Sequence, residues 1–475
     1  MDAAGSLPLS GLTVSRSEPG RAFAMAEWLL RGLGAGASSA GAPGSRAACP
    51  EAELVIGGDR TPLVRADPDL RWHGVPSATV DYALGAALAT AALASWRAGR
   101  PIGVSEVDVA VQVFLPEVMA LSYSSPTAMR PARPRPAPGG GWLHADLGAG
   151  DDRELFGDLL DILPPDANAS AVATAAQEWR LAVCDYRGRR SVRPRFPISV
   201  RSSPDQEEPP AGSAARMDRP SPTDRPLAGV VVADLTAMWA GPLATWLLHS
   251  LGATVHKVEP DTRPDGFRAM DGRGIHPFGR QVAPGEDSAM WNALNHGKLR
   301  EPLDLRRAEH KHRFLDLAVR SDVVIDAYSP RVMPDLGLSP LPEGPTGLSM
   351  PAFPAGPRRS WIAYGSGVHA LAGLGDMGDG TFAEPLVSYP DPVAGFIAAL
   401  GAVASIVGRD RGRPVRRMEV PLASASQPLL AWSAPAERSD PRRSPGRALL
   451  LRASFEARIV GGTELSHPCP PFCVV

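Results

Sequence analysis

Short apolar runs alternate with helical segments along the second half of the chain. Runs at 230–233, 254–258 and 323–325 predict buried strands, whereas residues 242–250 and 308–319 have the pattern of helices. Strands that alternate with helices are typical of parallel sheets joined by crossover connections. The pattern therefore predicts an α/β fold with a parallel sheet.

Two long Ala- and Gly-rich segments, around 82–96 and 393–408, are shorter than a bilayer span, and we expect them to be buried helices. The N-terminus lacks the basic-then-apolar pattern of a secretory signal. Four cysteines are too few for a disulfide framework, and Cys469 and Cys473 have no second ligand pair nearby, so no metal site is expected. These features predict a cytoplasmic location.

The chain carries a formal net charge of −2, with 44% hydrophobic and 21% charged residues. This balance is typical of a soluble globular protein and predicts no attraction to nucleic acid or to a membrane. Only Lys257, Lys298 and Lys311 are lysines, which draws attention to their surroundings.

The chain contains an internal repeat. Residues of the stretch 8–35 recur 218 positions later, and the matching positions are Pro8, Gly11, Trp28, Leu29, Leu30 and Gly34 with Pro226, Gly229, Trp246, Leu247, Leu248 and Gly252. A second match pairs Asp81 with Asp391, each of which opens an Ala-rich helix. We interpret these matches as a duplication.

The two copies are unequal in length. From Gly34 to Asp81 the first spans 47 positions, whereas from Gly252 to Asp391 the second spans 139, so the first copy is degenerate. Residues 201–225 are polar and Pro-rich like a linker. We predict five regions: a degenerate first copy (1–108), a small domain (109–200), the linker (201–225), a large domain (226–434) and a disordered tail (435–475).

Two places have residues suited to chemistry. The stretch ADLTAMWAGP (233–242) places small residues where a strand meets a helix, which suits an anion but also a plain tight turn. It is neither G-x-G-x-x-G nor a Walker loop, which disfavours a dinucleotide or nucleoside triphosphate. Asp391 is either a simple helix N-cap or a carboxylate nucleophile at a helix start.

Residues 226–434 resemble the class III CoA-transferases, a family that includes formyl-CoA transferase, carnitine CoA-transferase and α-methylacyl-CoA racemase. Five motifs match in order, and they are the opening PLAGVVVADLTAMWAGPLATWLLHSLGATVHKVEP, then LNHGKLREPLDLR, SDVVIDAYSPRVMPDLGL and AYGSGVHALAGL, and finally Asp391-x-x-x-Gly395 with its following strand. The resemblance implies a Rossmann-like large domain with a smaller α+β domain, and a homodimer that is either interlocked or not.

The resemblance also implies a reaction. Asp391 would attack an acyl-CoA thioester, form an aspartyl-CoA thioester and pass CoA to a carboxylic acid acceptor. Coenzyme A would enter only as the acyl-CoA substrate, and the implied contacts are Trp239, Ala240, Leu303, Asp304, Leu305, Arg306, Ala327, Tyr328, Ser329 and Tyr364. Several of these side chains are also ordinary packing residues, among them Trp239, Leu303, Ala327 and Tyr328.

Some positions depart from the family pattern. Trp239 stands where formyl-CoA transferases have Gln, and Pro260 and Asp335 stand where basic residues often bind CoA. The racemase histidine has no clear match, because Tyr364 lies near its position and His369 lies too close to the following glycine. Racemisation is therefore the weaker alternative, and a catalytically silent acyl-CoA-binding paralogue or partner subunit is another.

Residues 109–200 resemble the family's small domain, through GGGWLHADLGAGDDRELF and AQEWRLAVCDYRG. We therefore expect this segment to complete the second copy, either within the chain or across a dimer. Asp81 lies in a copy without the D-L-T turn or the L-D-L-R element, so we expect it to cap a helix.

Overall fold

A computed structural model describes most of the chain. The described residues are 7–10, 12–16, 21–37, 53–56, 59–64, 75, 78–122, 134–147, 151–190, 195–201, 223–268, 288–385, 387–432, 455–460 and 463–474. The predicted linker thus lies almost entirely outside the described residues.

The large domain is built on a mainly parallel sheet. Its strands are β10 (Val231–Leu235), β11 (Thr254–Val258), β12 (Leu299–Glu301), β13 (Val323–Asp326), β14 (Thr346–Ser349) and β15 (Arg417–Glu419). They lie in the order β12-β11-β10-β13-β14-β15, all parallel, and β9 (Ser199–Arg201) adds an antiparallel edge strand next to β15. The prediction of an α/β fold with a parallel sheet is confirmed.

Helices cover this sheet on its faces. They are α7 (Ala240–Ser250), α8 (Ala289–Asn295), α9 (Ala308–Arg320), α10 (Val332–Asp335), α11 (Gly365–Ala372), α12 (Pro390–Asp410) and α13 (Leu422–Trp432). The chain runs outward from β10 to β12 and then returns to place β13 on the other side of β10. The carboxyl ends of β10 and β13 therefore form a topological switch point, where open α/β sheets bind ligands.

The small domain has its own core. It contains β6 (Arg135–Pro136), β7 (Trp142–Ala145), β8 (Val183–Asp185), α5 (Asp152–Ile162) and α6 (Ala169–Glu178). Phe156, Leu159, Val172 and Val183 are among its buried residues. Because an apolar cluster separate from the main core packs here, this segment forms a compact unit of its own.

The small domain contacts the large domain within the same chain. The Gln177 side chain donates to the carbonyl of Ile362 at 2.9 Å and accepts from its amide at 2.7 Å. The amide of Arg187 donates to the Ala370 carbonyl, and β9 completes the edge of the large sheet. These contacts join the segment from β6 to β9 to the large domain, whereas residues 109–118 of the predicted small domain pack in the main core instead.

The N-terminal region forms another mixed sheet. Its elements are β1 (Thr13–Arg16), β2 (Gly36–Ala37), β3 (Glu53–Ile56), β4 (Asp59–Val64) and β5 (Ile102–Ser105), with α1 (Arg21–Gly32), α2 (Thr79–Ala98), α3 (Glu106–Val113) and α4 (Leu115–Ser122). Helix α2 packs against both α1 and α12. An ion pair of 2.9 Å between Arg97 and Asp410 joins the carboxyl ends of α2 and α12.

Contacts in this region recur in the large domain at the spacing of the sequence repeat. Thr13 pairs with Gly36 as Val231 pairs with Thr254, both in parallel strands. The glycines that end the two turns have the same positive φ of 105°. The amides of Leu9 and Leu227 donate to the carbonyls of Leu33 and Leu251 at 3.0 and 2.9 Å.

The helix packing recurs as well. A Cβ on Gly85 of α2 would lie 2.9 Å from the carbonyl oxygen of Ala22 and 2.7 Å from Met25 Cβ. A Cβ on Gly395 of α12 would lie 2.8 Å from the carbonyl oxygen of Ala240 and 3.2 Å from Leu243 Cβ. Each glycine therefore allows the equivalent pair of helices to approach closely.

The tail differs from the predicted disorder where it is described. β16 (Phe455–Val460) and β17 (Thr463–Pro468) form an antiparallel hairpin, and β18 (Phe472–Val474) pairs with β5. The Arg/Ser/Pro-rich composition and the lack of periodicity predicted disorder, and the partner of β18 lies too far away in sequence to leave a local signal. One described helix, Pro390–Asp410, is long and apolar enough to cross a membrane, but its apolar window is fully buried in the protein.

Candidate active site

Asp391 lies inside the first turn of α12, and its carboxylate is held by groups outside that helix. Tyr389 is the N-cap residue, so the interpretation of Asp391 as a plain N-cap is wrong. The Ser388 hydroxyl donates to Asp391 Oδ2 at 2.6 Å. A Cβ on Gly365 would lie 2.1 Å from the same oxygen, so only glycine fits there. The carboxylate is thus enclosed between a hydroxyl and the start of α11.

The protonation of Asp391 is shifted toward neutrality. Burial raises the pKa of its carboxyl to about 7, and the Asp146 charge adds to this increase against the hydrogen bonds from Ser388 and the Gly365 amide. An ordinary aspartate has a pKa of about 3.9. Perturbed carboxyls of this kind are common at functional sites.

The turn after β10 is fixed by a buried charge network. Asp234 accepts from the Thr236 amide at 2.9 Å, from Thr245 Oγ1 at 2.6 Å and from Lys298 Nζ at 3.1 Å. Burial alone would raise the pKa of Asp234, but the charges of Lys298 and Lys257 lower it to about 2. This network explains the D-L-T turn: it is a rigid support for the residues that follow.

Lys298 and Lys257, the two lysines of the family motifs, take part in this network. Lys298 Nζ also donates to the Pro242 carbonyl at 3.0 Å and to Thr245 Oγ1 at 2.7 Å, and Lys257 Nζ donates to the Thr236 carbonyl. Lys298 has 1% and Lys257 has 2% of its side chain exposed. Both cations are therefore occupied inside the protein: Lys298 fixes the first turn of α7, and Lys257 fixes the turn that precedes it.

Trp239 and Ala240 begin α7 on this support. Both are buried, and the Trp239 indole Nε1 has no hydrogen-bond partner among the described residues. The Ala240 carbonyl lies against Gly395, one turn after Asp391. The N-terminal parts of α7 and α12 therefore lie side by side.

The other residues implied for CoA contact fall into two kinds. Leu303 and Leu305 are buried in the core, whereas Asp304 and Arg306 pair through hydrogen bonds of 2.8 Å at the surface. The side-chain hydrogen bonds from Arg306 lower the pKa of Asp304 to about 2. Arg306 therefore already has an anionic partner within the chain.

The segment after β13 lies at the switch point. Ala327, Tyr328 and Ser329 are half-buried directly beyond the carboxyl end of that strand. Burial raises the pKa of Tyr328 to about 12. The positive charge of Arg263, a residue that the sequence analysis missed, acts on Tyr328 and also on Tyr364.

Tyr364 is the N-cap of α11 and has 47% of its surface exposed. Burial raises the pKa of its hydroxyl, and the charges of Asp146 and Asp391 act in the same direction. Crossover helices begin at the carboxyl edge of a parallel sheet, so α7, α12 and the segments after β12 and β13 meet at one edge. The implied contacts and Asp391 therefore share one face of the protein.

A buried charged cluster that was not predicted from the sequence lies near Asp391. His144 lies between Glu384, which its Nδ1 contacts, and Asp146, whose Oδ2 is 2.9 Å from Nε2. Ser366 Oγ donates to Asp146 Oδ2 at 2.8 Å. The cluster joins residues more than two hundred positions apart, so no local motif announces it.

His369, weighed above as a possible racemase base, is 1% exposed, and burial lowers the pKa of its imidazole to about 3. The neutral His369 ring packs edge-on against Tyr389, so His369 is a packing residue. Within the described part of the chain, no group of three or more His, Cys, Asp or Glu side chains is arranged to hold a metal ion.

Comparison with known proteins gives one family match. Residues 227–454 match the model described as CoA-transferase family III. The match confirms the resemblance of this segment to the class III CoA-transferases.

Individual relatives match only in part. The succinyl-CoA–L-malate CoA-transferase alpha subunit of Chloroflexus aurantiacus is 27% identical over 209 residues, which is 42% of this chain and 47% of that protein. The succinyl-CoA:mesaconate CoA-transferase of Haloarcula hispanica is 33% identical over 191 residues, or 39% of this chain and 40% of that protein. The chain thus spans about half the length, or less, of these curated relatives.

A solved structure of a hypothetical protein from Mycobacterium tuberculosis is 28% identical to this chain. The similar region covers 44% of this chain and 57% of that one, with a TM-score of 0.38.

Proposed function

We propose that the chain is an acyl-CoA:carboxylate CoA-transferase with Asp391 as its nucleophile. The observation that carries the proposal is the enclosed carboxylate at the start of α12, held by Ser388 and lying against Gly365. It lies beside the first turn of α7, at the sheet edge where this fold binds ligands. The family match of residues 227–454 supports the same reaction.

The proposed reaction has four acyl exchanges. The Asp391 carboxylate attacks the thioester carbonyl carbon, and CoA thiolate leaves as a mixed anhydride forms. The thiolate then attacks the aspartyl carbonyl and releases the first carboxylic acid as its anion. An acceptor carboxylate attacks the aspartyl-CoA thioester, and the returning thiolate takes the new acyl group and frees Asp391. Each step breaks one bond at an acyl carbon as it forms another, so the carboxylate is restored.

The acyl-CoA would lie along the shared sheet edge. The backbone at Trp239 and Ala240 presents the unsatisfied amides of a helix start, and Tyr328 and Tyr364 flank the approach. Arg263 is exposed and its charge acts on both tyrosines, so it supplies positive charge where Pro260 and Asp335 do not. Arg306 contributes less, because Asp304 already neutralises it.

The experiment is to trap the intermediate. The full chain is incubated with succinyl-CoA and L-malate or mesaconate, substrates taken from the names of the relatives, and then treated with hydroxylamine or borohydride. Mass spectrometry is expected to find the modification on Asp391, and Asp391→Ala is expected to abolish it. No adduct, together with unchanged turnover in Asp391→Ala, would overturn the proposal.

A second candidate function is acyl-CoA binding without turnover, as a paralogue or as a partner of an active subunit. The observation that favours it is the neutralised Arg306 together with the partial length of the match. In that case the chain binds acyl-CoA but gives no adduct until the partner is added. A third candidate function is that of a 2-methylacyl-CoA racemase. Exchange of the α-proton of a 2-methylacyl-CoA in deuterated water would identify it.

We also propose that the chain arose by duplication and that its first copy, residues 1–108, is degenerate. The equal register of β1–β2 and β10–β11, and the equal approaches at Gly85 and Gly395, support this history. The small domain then serves the second copy. If residues 226–434 expressed alone fold and turn over acyl-CoA as well as the full chain does, the role of the small domain is refuted. A cytoplasmic location and a homodimer, interlocked or not, remain predictions.

A further inference from the structure

Strand β7 of the small domain ends in a buried charged cluster that the proposed reaction does not use. His144 is 5% exposed and Glu384 is 7% exposed. Each nitrogen of the His144 ring faces a carboxylate, Nδ1 that of Glu384 and Nε2 that of Asp146. Burying a histidine between two acids is costly unless the ring is charged and paired.

The cluster keeps His144 as an imidazolium. Burial alone would lower the pKa of the ring, but the close contacts with Asp146 and Glu384 and their charges raise it to about 10. One cation thus faces two carboxylates, and one negative charge is left over. Asp146 is the more exposed of the two acids, with 26% of its side chain accessible against 4% for Glu384. It therefore lies on the open side of the cluster.

Asp146 is tied to the start of α11. Ser366 Oγ donates to Asp146 Oδ2 at 2.8 Å, and Ser366 directly follows Gly365. Gly365 is the residue that lies against the Asp391 carboxylate. A single peptide unit therefore separates the group held by Asp146 from the group that touches Asp391.

We propose that Asp146, held by His144 and Ser366, is a positioning residue for Asp391: it fixes the start of α11 against the nucleophile and keeps a second negative charge beside it. The inference rests on the proposed function, in which Asp391 is the nucleophile. The end of β7 meets there two segments more than two hundred positions further along the chain: the start of α11 and the segment that carries Glu384.

The second charge has a chemical use. A free thiol has a pKa of about 8.5, far above the roughly 3.9 of an ordinary aspartate. Acyl exchange between a carboxylate and a thiolate is most evenly balanced when the two are similar in basicity. A carboxylate next to Asp391 moves its basicity toward that of the thiol, so that neither the anhydride nor the thioester accumulates as a trap.

Several groups face Asp391. Ser388 and the Gly365 amide act to lower the pKa of Asp391, whereas Asp146 raises it. The charges of Asp391, Asp146, Asp152 and Arg263 all act on Tyr364, the N-cap residue of α11. Removing the Asp146 charge is therefore expected to lower the pKa of Asp391. Removing the His144 cation, which offsets part of the Asp146 charge, is expected to raise it.

The test follows the titration of Asp391 directly, without acyl-CoA. The full chain is treated with a water-soluble carbodiimide and glycine ethyl ester from pH 5 to 9, and labelling at residue 391 is followed by peptide mass spectrometry. Carbodiimides react with the protonated carboxyl, so labelling falls as Asp391 ionises, and its midpoint in the wild type is expected near pH 7.

The variants separate charge from structure. Asp146→Asn keeps the shape of the side chain and is expected to shift the midpoint down by about one pH unit. His144→Gln is expected to shift it upward, and Asp158→Asn, an exposed acid on α5, is the matched control without a shift. A merely structural role does not move the midpoint in opposite directions, and His144→Gln still tests the proposal if Asp146→Asn does not fold.

The positioning role of Asp146 and the proposed transferase reaction can be refuted independently. Equal midpoints in the wild type, Asp146→Asn and His144→Gln would overturn the positioning role, even where acyl-CoA forms an adduct on Asp391. Opposite shifts without any acyl adduct would leave the positioning of Asp391 standing and overturn the proposed transferase reaction.

Discussion

The two aspartates that open the repeated helices, Asp81 and Asp391, lie in opposite environments. Asp81 is in the first turn of α2 and pairs with Arg21 at 3.3 Å across a surface where half of the Arg21 side chain is exposed. Asp391 is enclosed by Ser388 and Gly365, and burial raises the pKa of its carboxyl to about 7. The helices they begin pack almost identically.

The difference lies in what surrounds the helix start. At the position of Trp239 the first copy has Arg21, a cation that pairs with Asp81. The segment that carries Gly365 and Ser366 falls in the stretch that spans 139 positions in the second copy and only 47 in the first. Helix packing and site chemistry are therefore specified by different residues: the packing is alike at the starts of α2 and α12, whereas the surroundings of the two aspartates differ.

The largest expected effect on turnover comes from removing the Asp391 carboxylate, with removal of the Asp81 carboxylate as the comparison. Asp391→Ala deletes the proposed nucleophile and is expected to lower kcat by roughly 10⁴-fold or more. Asp81→Ala leaves turnover within about twofold, because its ion pair is exposed and worth little. Steady-state transfer assays on both variants check this comparison, and a comparable loss in Asp81→Ala would mean that both copies carry chemistry.

The second-largest expected effect concerns Gly365, which lies against the Asp391 carboxylate. In Gly365→Ala the new Cβ would lie 2.1 Å from Asp391 Oδ2 and 2.4 Å from Ser388 Oγ, so the carboxylate must move. We expect kcat to fall about 100-fold, as displacements of about 1 Å at a reacting group typically produce. Gly157→Ala on α5 is the control, because a Cβ there meets nothing within 4 Å. Full activity in Gly365→Ala would contradict the enclosed geometry.

Helix packing is expected to respond alike in both copies. Gly85→Ala and Gly395→Ala each push a methyl group to within 3 Å of a carbonyl oxygen on the neighbouring helix. Overpacking of this kind costs about 1–3 kcal/mol of unfolding free energy. Urea denaturation of the two variants measures it. A loss at Gly395 without one at Gly85 would show that the first copy has relaxed its packing and would weaken the case for an equivalent repeat.

Much of this comparison was predictable from the sequence, because it depends on local signals. The strand at Thr254–Val258 was predicted at its observed bounds, and helix 308–319 ends at Arg320, one residue later. The repeat was visible because its glycines and Trp-Leu-Leu have a fixed spacing. Asp391 was singled out through its motif, although its setting differs from the cap that local propensity favours.

The remaining parts depend on contacts between distant segments. His144 and Glu384 meet across 240 positions, and β18 pairs with β5 from the far end of the chain. The roles of Lys257 and Lys298 were also open, since a lysine in a motif is as suitable for a ligand phosphate as for a buried carboxylate. Only the fold decides between them, by placing Asp234 and Thr236 within reach.

The smallest expected effect concerns stability and pH. The folded-state pKa of Asp391 is about 7, above the roughly 3.9 of an unfolded aspartate, so the folded protein binds this proton more tightly. Unfolding free energy is therefore lost as pH rises from about 4 through 7, and the full cost of ionising the buried carboxyl is present above pH 7.

Asp391→Asn removes that cost and is expected to stabilise the protein by about 1–3 kcal/mol at pH 8, allowing for partial exposure, and by less at pH 5. Asp81→Asn, which removes an ion pair, is not expected to stabilise at either pH. Thermal denaturation of both variants at pH 5 and 8 decides the point, and a destabilised Asp391→Asn at pH 8 would mean that the carboxylate contributes to folding as well as to chemistry.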